Sequence, residues 1–173
     1  MLIMNNKLSV SPITTHINIK DISKKLKKEL IINKVKTIEF WYQKKFKKKA
    51  KIAIGGLNPH NAELRETSEE RKIIIPAINK LKKLGINING PLVSDTIFIN
   101  DYKKFDVIVG MFHDQVLAPF KTLFKFNAIN ITLGLKYLRV SPDHGVAKNL
   151  IGKNIADTTS LLQCINFINK FGK

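Results

Sequence analysis

The sequence has a single cysteine, Cys164, so no disulfide can form within the chain. No apolar run approaches the roughly 18 residues that span a bilayer. The first residues also lack the basic region, apolar stretch and small-residue cleavage site of a signal peptide. These absences exclude a disulfide-stabilised domain and a membrane-spanning helix, and they lead us to expect a reducing cytoplasm as the setting.

Arginine is also scarce, with three Arg against 27 Lys at a formal net charge of +17. A positive charge of this size first suggests nucleic acid. Proteins that read bases and phosphates, however, rely on the bidentate fork of Arg. The abundance of Ile and Asn beside Lys indicates a compositional bias instead. Nucleic acid is therefore not expected as a partner, and a Lys-rich nucleic-acid-binding protein is kept only as a distant alternative. The densest basic run, 44–51, is expected to close a helix and solvate a loop.

The 173 residues, 44% of them hydrophobic, suffice for one packed domain. Predicted strands lie at 8–14, 51–55, 86–88, 105–110, 130–133 and 138–141. Predicted helices run from Ile22 to Tyr42, from the Thr67 region to Leu84, and from the Asp157 cap to Phe171. This alternation favours an α/β fold with a partly parallel sheet, in a single unit over residues 1–173.

Local signals add detail to the predicted helices. Thr67 and Glu70 have the spacing of a capping box, Pro76 should kink the following helix or shift its start, and Gly85 is a natural stop. One face of the last helix is predicted to be apolar; its members are Leu161, Leu162, Ile165 and Ile168.

Each of the four histidines follows a predicted strand: His16 in TTH, His60 in NPH, His113 in FHDQ and His144 in PDHG. In open α/β sheets the ligand crevice lies beyond the carboxyl ends of the strands, so this pattern predicts a common site. Imidazole is a common ligand of Zn²⁺, and three protein ligands with one open position define a catalytic metal site. The alternative is that each His is a surface residue or a satisfied core residue.

Two aspartates adjoin these histidines, Asp114 after His113 and Asp143 before His144. Either carboxylate can orient the neighbouring ring or bind a metal directly. A loop Asp that makes a turn is an equally good interpretation of both.

Polar residues after the third histidine suggest an anion site. Arg139 lies between Leu138 and Val140, and a half-buried Arg needs an anionic partner such as a substrate phosphate or carboxylate. An internal ion pair with Asp143 or Asp157 is the alternative. Lys121 alone is a weak signal among so many lysines.

Six motifs then occur in series: TTH with Ile19-Lys20-Asp21 after it, GLNPH, GPLVSDTIF, HDQ, NITLGL and DHG. In this order and approximate spacing, from Leu8 to Phe171, the chain resembles the 4-hydroxythreonine-4-phosphate dehydrogenase family. Each motif is a modest signal by itself, whereas six in order are highly specific.

The resemblance implies an isocitrate/isopropylmalate dehydrogenase-like fold and a homodimer with its site at the interface. It implies NAD- or NADP-dependent oxidation of 4-phosphooxy-L-threonine at the C3 hydroxyl, giving 2-amino-3-oxo-4-phosphooxybutanoate. That product decarboxylates to 3-amino-2-oxopropyl phosphate, a precursor in pyridoxine 5′-phosphate (vitamin B6) biosynthesis. A divalent ion, Zn²⁺, Mg²⁺ or Co²⁺, would lower the pKa of the hydroxyl and stabilise the charge left by decarboxylation.

Carried over motif by motif, the resemblance assigns metal binding to three histidines: His16, His60 and His113. The substrate-binding positions of the family match Lys121, Asn130 and Arg139, and the catalytic candidates are Lys121 and His113. His144 has a family counterpart but is given no metal role. The sequence has no GxGxxG or Walker A motif, so no residue is assigned to the nicotinamide cofactor.

Three departures from the family are visible. The stretch after NPH, 61–67, contains no glycine, although the family is commonly glycine-rich there. Phe112 stands where an aromatic residue with a hydroxyl is usual. The N-terminal half of the family, with a substrate-binding His-Thr pair, has no match. The chain is therefore expected to be the C-terminal half alone, with Met1 as an internal start, and an inactive fragment or a paralogue acting on a related phosphorylated hydroxy acid remains open.

Overall fold

A computed structural model describes residues 1–99 and 101–172. Its centre is a mixed sheet of seven strands in the spatial order β4-β3-β5-β2-β1-β6-β7. The strands are β1 Leu2–Met4, β2 Ser9–Pro12, β3 Ile52–Gly55, β4 Ile88–Leu92, β5 Val107–Gly110, β6 Ile129–Thr132 and β7 Arg139–Pro142.

The sheet is half parallel and half antiparallel. Strands β4, β3, β5 and β2 pair in parallel, whereas β1, β6 and β7 each pair antiparallel with the strand before them in the spatial order. The predicted α/β class with a partly parallel sheet is therefore confirmed. β1 is not predicted from the sequence, because a strand of three residues is too short to show an alternation.

Within these ranges, five α-helices surround the sheet: α1 Ile22–Lys25, α2 Lys28–Phe46, α3 Ile75–Lys83, α4 His113–Phe124 and α5 Thr159–Phe171. One face of the sheet packs against α2, α3 and α5, with Val35, Leu81 and Cys164 in the same buried cluster as Ile52 and Ile131. The other face packs against α4, which buries its own apolar side chains on the strands; that second cluster includes Ile3, Val10, Ile108, Val116 and Phe120. The fold is thus two layers of helix on a central sheet.

The predicted helix from Ile22 to Tyr42 is in fact two helices. α1 ends at Lys25, and Leu26 is extended (φ −70°, ψ 120°) with its side chain fully buried in the core. α2 begins at Lys28 and continues to Phe46, inside the basic run. Burial of Leu26 requires the chain to leave the helix there, so tertiary packing overrides a sequence that favours helix throughout.

The predicted capping box at Thr67 and Glu70 is wrong. Ser68 caps this helical segment instead, because its Oγ accepts a hydrogen bond from the Arg71 backbone N–H at 3.3 Å. Glu70 begins a π-helical segment, Glu70–Ile74, and its carboxylate points into the turn after β3. Pro76 lies at the start of α3 but inside a helical stretch, 70–83, that continues from the π-helical segment without a break. Because proline lacks an N–H and its ring crowds the preceding turn, a departure from α geometry is expected just before it, where the π-helical segment lies.

α3 ends at Lys83, and Gly85 is the stop residue after its C-cap Leu84, as predicted. Gly85 has φ +76°, and the Ile86 N–H donates to the Leu81 carbonyl at 3.2 Å, which is a Schellman motif. The strand predicted at 86–88 begins two residues later and runs over Ile88–Leu92.

α5 also begins as predicted, because the Asp157 carboxylate accepts a hydrogen bond from the Thr159 N–H at 2.8 Å. Its predicted apolar face does not pack on the core, however. Ser160 and Cys164 are buried, whereas the four apolar side chains are 46–54% exposed; they are Leu161, Leu162, Ile165 and Ile168.

Within the two described ranges, no helix has both the length and the apolar character that a membrane span requires.

Candidate metal and substrate site

Three loops that carry histidines follow three parallel strands. His16 follows β2, His60 follows β3 and His113 follows β5, so all three loops leave the sheet at the same edge. This is the edge at which ligands bind in open α/β sheets. His144 follows β7, which runs opposite to β2 because three successive strand pairs are antiparallel. The expectation that all four histidines follow strands ending at one edge is therefore wrong for His144.

His16 and His113 form a close pair. Their ring centroids are 5.4 Å apart, with an angle of 48° between the ring planes. Two imidazoles on one tetrahedral ion, each with a metal–nitrogen distance of about 2.0–2.1 Å, have centroids roughly 5 Å apart. The Nδ1 of His113 lies 2.7 Å from the Asp114 carboxylate, an arrangement that orients the ring and leaves Nε2 available for an ion. The chemistry and spacing of this pair fit a divalent metal.

His60 does not join the pair within one chain. Its side chain is 74% exposed, and its Nε2 lies 3.8 Å from the carboxylate of Asp95. Across residues 1–99 and 101–172, no three His, Cys, Asp or Glu side chains are placed to hold a metal together. A single copy therefore offers two of the three predicted ligands side by side.

Hydrogen bonds join the three loops behind the histidines. The Thr14 hydroxyl donates to the Met111 carbonyl at 2.7 Å, which ties the loop of His16 to that of His113. The Gln115 side chain accepts from the Met111 N–H at 2.6 Å and donates to the Gly56 carbonyl at 2.7 Å. Gln115 thus links the His113 loop to the turn that leads to His60. Gln115 is the third residue of the HDQ motif, but the sequence predicts no role for it.

The backbone from His60 to Leu64 forms a left-handed turn. All five residues have φ between 48° and 56°, and none is glycine. Left-handed conformation costs a residue with a side chain roughly 1–2 kcal/mol. The glycine-free stretch noted in the sequence therefore coincides with a backbone that would favour glycine.

Lys121 lies on α4 and reaches the segment after β7. Its Nζ donates to the Asp143 backbone carbonyl at 2.7 Å and lies 3.6 Å from the Asp143 carboxylate. Burial raises the pKa of the Asp143 carboxyl, and the nearby Lys121 ammonium opposes that shift. The Asp143 N–H donates to the buried Ser160 hydroxyl at 2.9 Å. Lys121 is thus held at a fixed place with its charge next to a buried carboxylate.

Asn130 and Arg139 lie on the α4 face of the sheet. Asn130, on β6, pairs with Ile3 of β1, whose side chain belongs to the core on that face. On its other side Asn130 pairs with Ser141 of β7. Arg139 is two residues from Ser141 on β7 and so shares the face. The Asn130 Oδ1 is buried and has no hydrogen-bond partner within the described part of the chain.

Arg139 is more exposed than predicted. Its Nη1 donates to the Thr132 hydroxyl at 2.7 Å, and within the described residues no ion pair joins it to Asp143 or Asp157. The prediction of a half-buried Arg is wrong because β7 is an edge strand, whose side chains are covered less than those of central strands. The guanidinium remains available for an anion.

A family model described as pyridoxal phosphate biosynthetic protein PdxA matches residues 1–168. The chain belongs to the PdxA family. A 4-hydroxythreonine-4-phosphate dehydrogenase of Sulfurihydrogenibium sp. (strain YO3AOP1) is 48% identical over 95% of this chain and 52% of that relative. One from Aquifex aeolicus (strain VF5) is 44% identical over 97% of this chain and 52% of its own length.

A solved PdxA-type structure agrees with the fold. The crystal structure of 4-hydroxythreonine-4-phosphate dehydrogenase from Klebsiella pneumoniae matches with a TM-score of 0.83 at 30% identity, over 96% of this chain and 51% of that chain. The resemblance drawn from the six motifs is therefore confirmed, as is the expectation of a half-length α/β version of the family fold. This chain spans about half the length of the PdxA relatives it matches.

Proposed function

We propose that this chain is the C-terminal half of a 4-hydroxythreonine-4-phosphate dehydrogenase and supplies its metal-binding and substrate-binding groups. The reaction is oxidation of 4-phosphooxy-L-threonine at the C3 hydroxyl, followed by decarboxylation to 3-amino-2-oxopropyl phosphate in vitamin B6 synthesis. The observation that carries the proposal is the His16–His113 pair at the ligand-binding edge of a PdxA-family sheet. We also propose a cytoplasmic setting, which agrees with the single cysteine, Cys164.

In this proposal the side chains of one copy have distinct tasks. His16 and His113 hold the ion, and Asp114 fixes the ring of His113. Lys121 and Arg139 bind the anionic groups of the substrate, and the Asn130 amide adds a hydrogen bond. His113 and Lys121 are the candidates for contact with the reacting atoms. His16 and His113 would hold a Zn²⁺, Mg²⁺ or Co²⁺ ion, which would supply a lower pKa for the substrate hydroxyl, and NAD or NADP would be the hydride acceptor.

We further propose a homodimer with the site at its interface. The support is the position of His60, which is exposed and separate from the pair that it is expected to complete. The His60 imidazole of one copy would join the His16–His113 pair of the other. Three ligands from two copies would leave an open coordination position for substrate.

The proposal is tested by NADH formation from 4-phosphooxy-L-threonine with the purified chain, NAD⁺ and each divalent metal in turn. We expect turnover that is lost in His60→Ala, with the circular dichroism spectrum unchanged. His144→Ala is the matched control and should retain metal binding. Turnover in His60→Ala equal to that of the unmodified chain would overturn the assignment.

Two alternatives give different results in the same assay. A paralogue would turn over a stereoisomer or a related phosphorylated hydroxy acid faster than 4-phosphooxy-L-threonine. An inactive fragment would form no NADH with any of these substrates, even when metal is bound.

A further inference from the structure

Glu70 is a buried carboxylate at the start of the segment that leads into α3. Its side chain has no solvent exposure, which is unusual for a charged residue. One carboxylate oxygen accepts hydrogen bonds from the backbone N–H groups of Leu57 and Asn58, at 2.8 and 2.7 Å. The other accepts from the Asn58 side-chain amide at 3.0 Å. A carboxylate is stable in the interior only when donors of this kind surround it.

These three donors belong to the turn between β3 and His60. Asn58 is two residues before His60, and the peptide N–H groups that Glu70 binds fix the direction in which the chain leaves the strand. The turn also closes tightly over the carboxylate, because a Cβ placed on Gly56 would lie 3.1 Å from Glu70 Oε1 and 2.0 Å from the Asn61 Oδ1. The carboxylate therefore fills the inside of the turn.

We propose that Glu70 is a positioning residue that holds the turn carrying His60 in the geometry that binds metal. The inference rests on the proposed function, in which His60 is a metal ligand. Glu70 does not reach the ion itself; it acts through the Leu57 and Asn58 N–H groups. Glu70 also begins the Glu70–Ile74 segment that leads into α3. Its hydrogen bonds therefore join the turn that carries His60 to the helical layer.

Glu69 provides a matched control. It accepts a hydrogen bond from the same Asn58 side-chain amide, at 2.9 Å, and another from the Ser23 hydroxyl, but it binds neither backbone N–H of the turn. These hydrogen bonds lower the pKa of the Glu69 carboxyl. Glu69 thus has the same charge as Glu70 and shares the Asn58 side-chain amide as a partner. It lacks the hydrogen bonds from the Leu57 and Asn58 backbone N–H groups, to which we attribute the positioning.

The test is the affinity of the purified chain for Co²⁺ or Zn²⁺, measured by calorimetry for four variants. Glu70→Ala should weaken binding by about 10- to 100-fold, the range found when groups that orient metal ligands are removed. Glu70→Gln keeps one oxygen acceptor and should weaken binding by about 3- to 10-fold. Glu69→Gln should stay within about twofold. His60→Ala measures how much affinity is lost when the proposed metal ligand itself is removed.

A double variant separates positioning from general stability. If Glu70 acts through His60, Glu70→Gln in a His60→Ala background should cause no further loss of metal affinity. An undiminished loss in that background, or equal losses in Glu70→Gln and Glu69→Gln, would overturn the positioning role while leaving the His60 assignment in place. Unchanged affinity in His60→Ala would instead overturn the proposed site and this inference with it. Glu70→Ala removes all three hydrogen bonds to the turn, whereas Glu70→Gln keeps an oxygen acceptor. The Gln variant therefore decides the test, and its circular dichroism spectrum checks that it folds.

Discussion

The buried position of Tyr42 changes the pKa of its hydroxyl. Its hydroxyl lies 2.6 Å from the Ser9 hydroxyl, and burial raises its pKa to about 12. In the unfolded chain a tyrosine titrates near pH 10, so below that pH the contribution of Tyr42 to stability is fully present. Between about pH 10 and 12 the unfolded state loses its proton first, and about 2–3 kcal/mol of stability should be lost.

The measurement is urea unfolding across this pH range for the unmodified chain and Tyr42→Phe. The phenylalanine variant should be less stable at neutral pH by about 1 kcal/mol, the value of a lost hydrogen bond. Its stability should then fall less steeply above pH 10, since the titration of the lysines is common to both proteins. Parallel curves for the two proteins would show that Tyr42 titrates normally.

Gln115 joins two loops of the candidate site, so we expect its removal to be costly. Gln115→Ala leaves the Met111 N–H without its partner, at a cost of about 1–3 kcal/mol when that group stays buried. It also removes one of two donors to the Gly56 carbonyl, which keeps the Ser94 hydroxyl at 3.1 Å. Gln163→Ala, on the exposed side of α5, is the control and should change stability by less than about 0.5 kcal/mol. Chemical unfolding of both variants measures the difference, and equal stabilities would refute the linking role.

The motifs name the metal and substrate candidates, but they do not reveal what holds them in place. Gln115 and Glu70 both bind backbone groups that are far away in sequence, and such contacts leave no periodic pattern. Glu70 even lies at capping-box spacing from Thr67. Its carboxylate nevertheless binds the Asn58 N–H, so a tertiary contact overrides the local signal. The separation of His60 from the other two histidines also depends on the conformation of its turn, which the spacing of the motifs along the sequence does not determine.

In the left-handed turn from His60 to Leu64, substitution by glycine should stabilise the chain, although glycine usually destabilises an ordered segment. Glu63 is exposed and has φ 51°, so Glu63→Gly should relieve strain and raise stability by about 0.5–1 kcal/mol. Lys80→Gly, at an exposed position inside α3, should lower stability by about 1 kcal/mol. Thermal unfolding compares the two, and destabilisation by both glycines to the same extent would argue against a left-handed turn.

The buried strands are the elements that the sequence predicts best. β3 and β5 are continuous apolar runs, and both lie within two residues of the predicted bounds. The break between α1 and α2 could not be predicted, because it depends on burying Leu26 against distant residues. The exposed side of α5 could not be predicted either, since periodicity identifies an apolar face without identifying what covers it.

The exposed apolar face of α5 should make the chain self-associate. Leu161, Leu162, Ile165 and Ile168 form a contiguous exposed stripe, and the chain spans about half the length of its relatives. We expect Leu162→Gln with Ile165→Gln to reduce the sedimentation coefficient or the aggregated fraction while changing unfolding free energy by less than about 1 kcal/mol. Unchanged sedimentation would show that this face plays no part in association.

In the proposed site, three imidazoles bind one ion between copies of this chain. X-ray absorption spectroscopy of the Zn²⁺-loaded chain counts them directly, since imidazole nitrogens lie about 2.0–2.1 Å from zinc. We predict three imidazoles per ion in the unmodified chain and two in His60→Ala. An identical zinc environment in both proteins, or no bound zinc in the unmodified chain, would contradict the account.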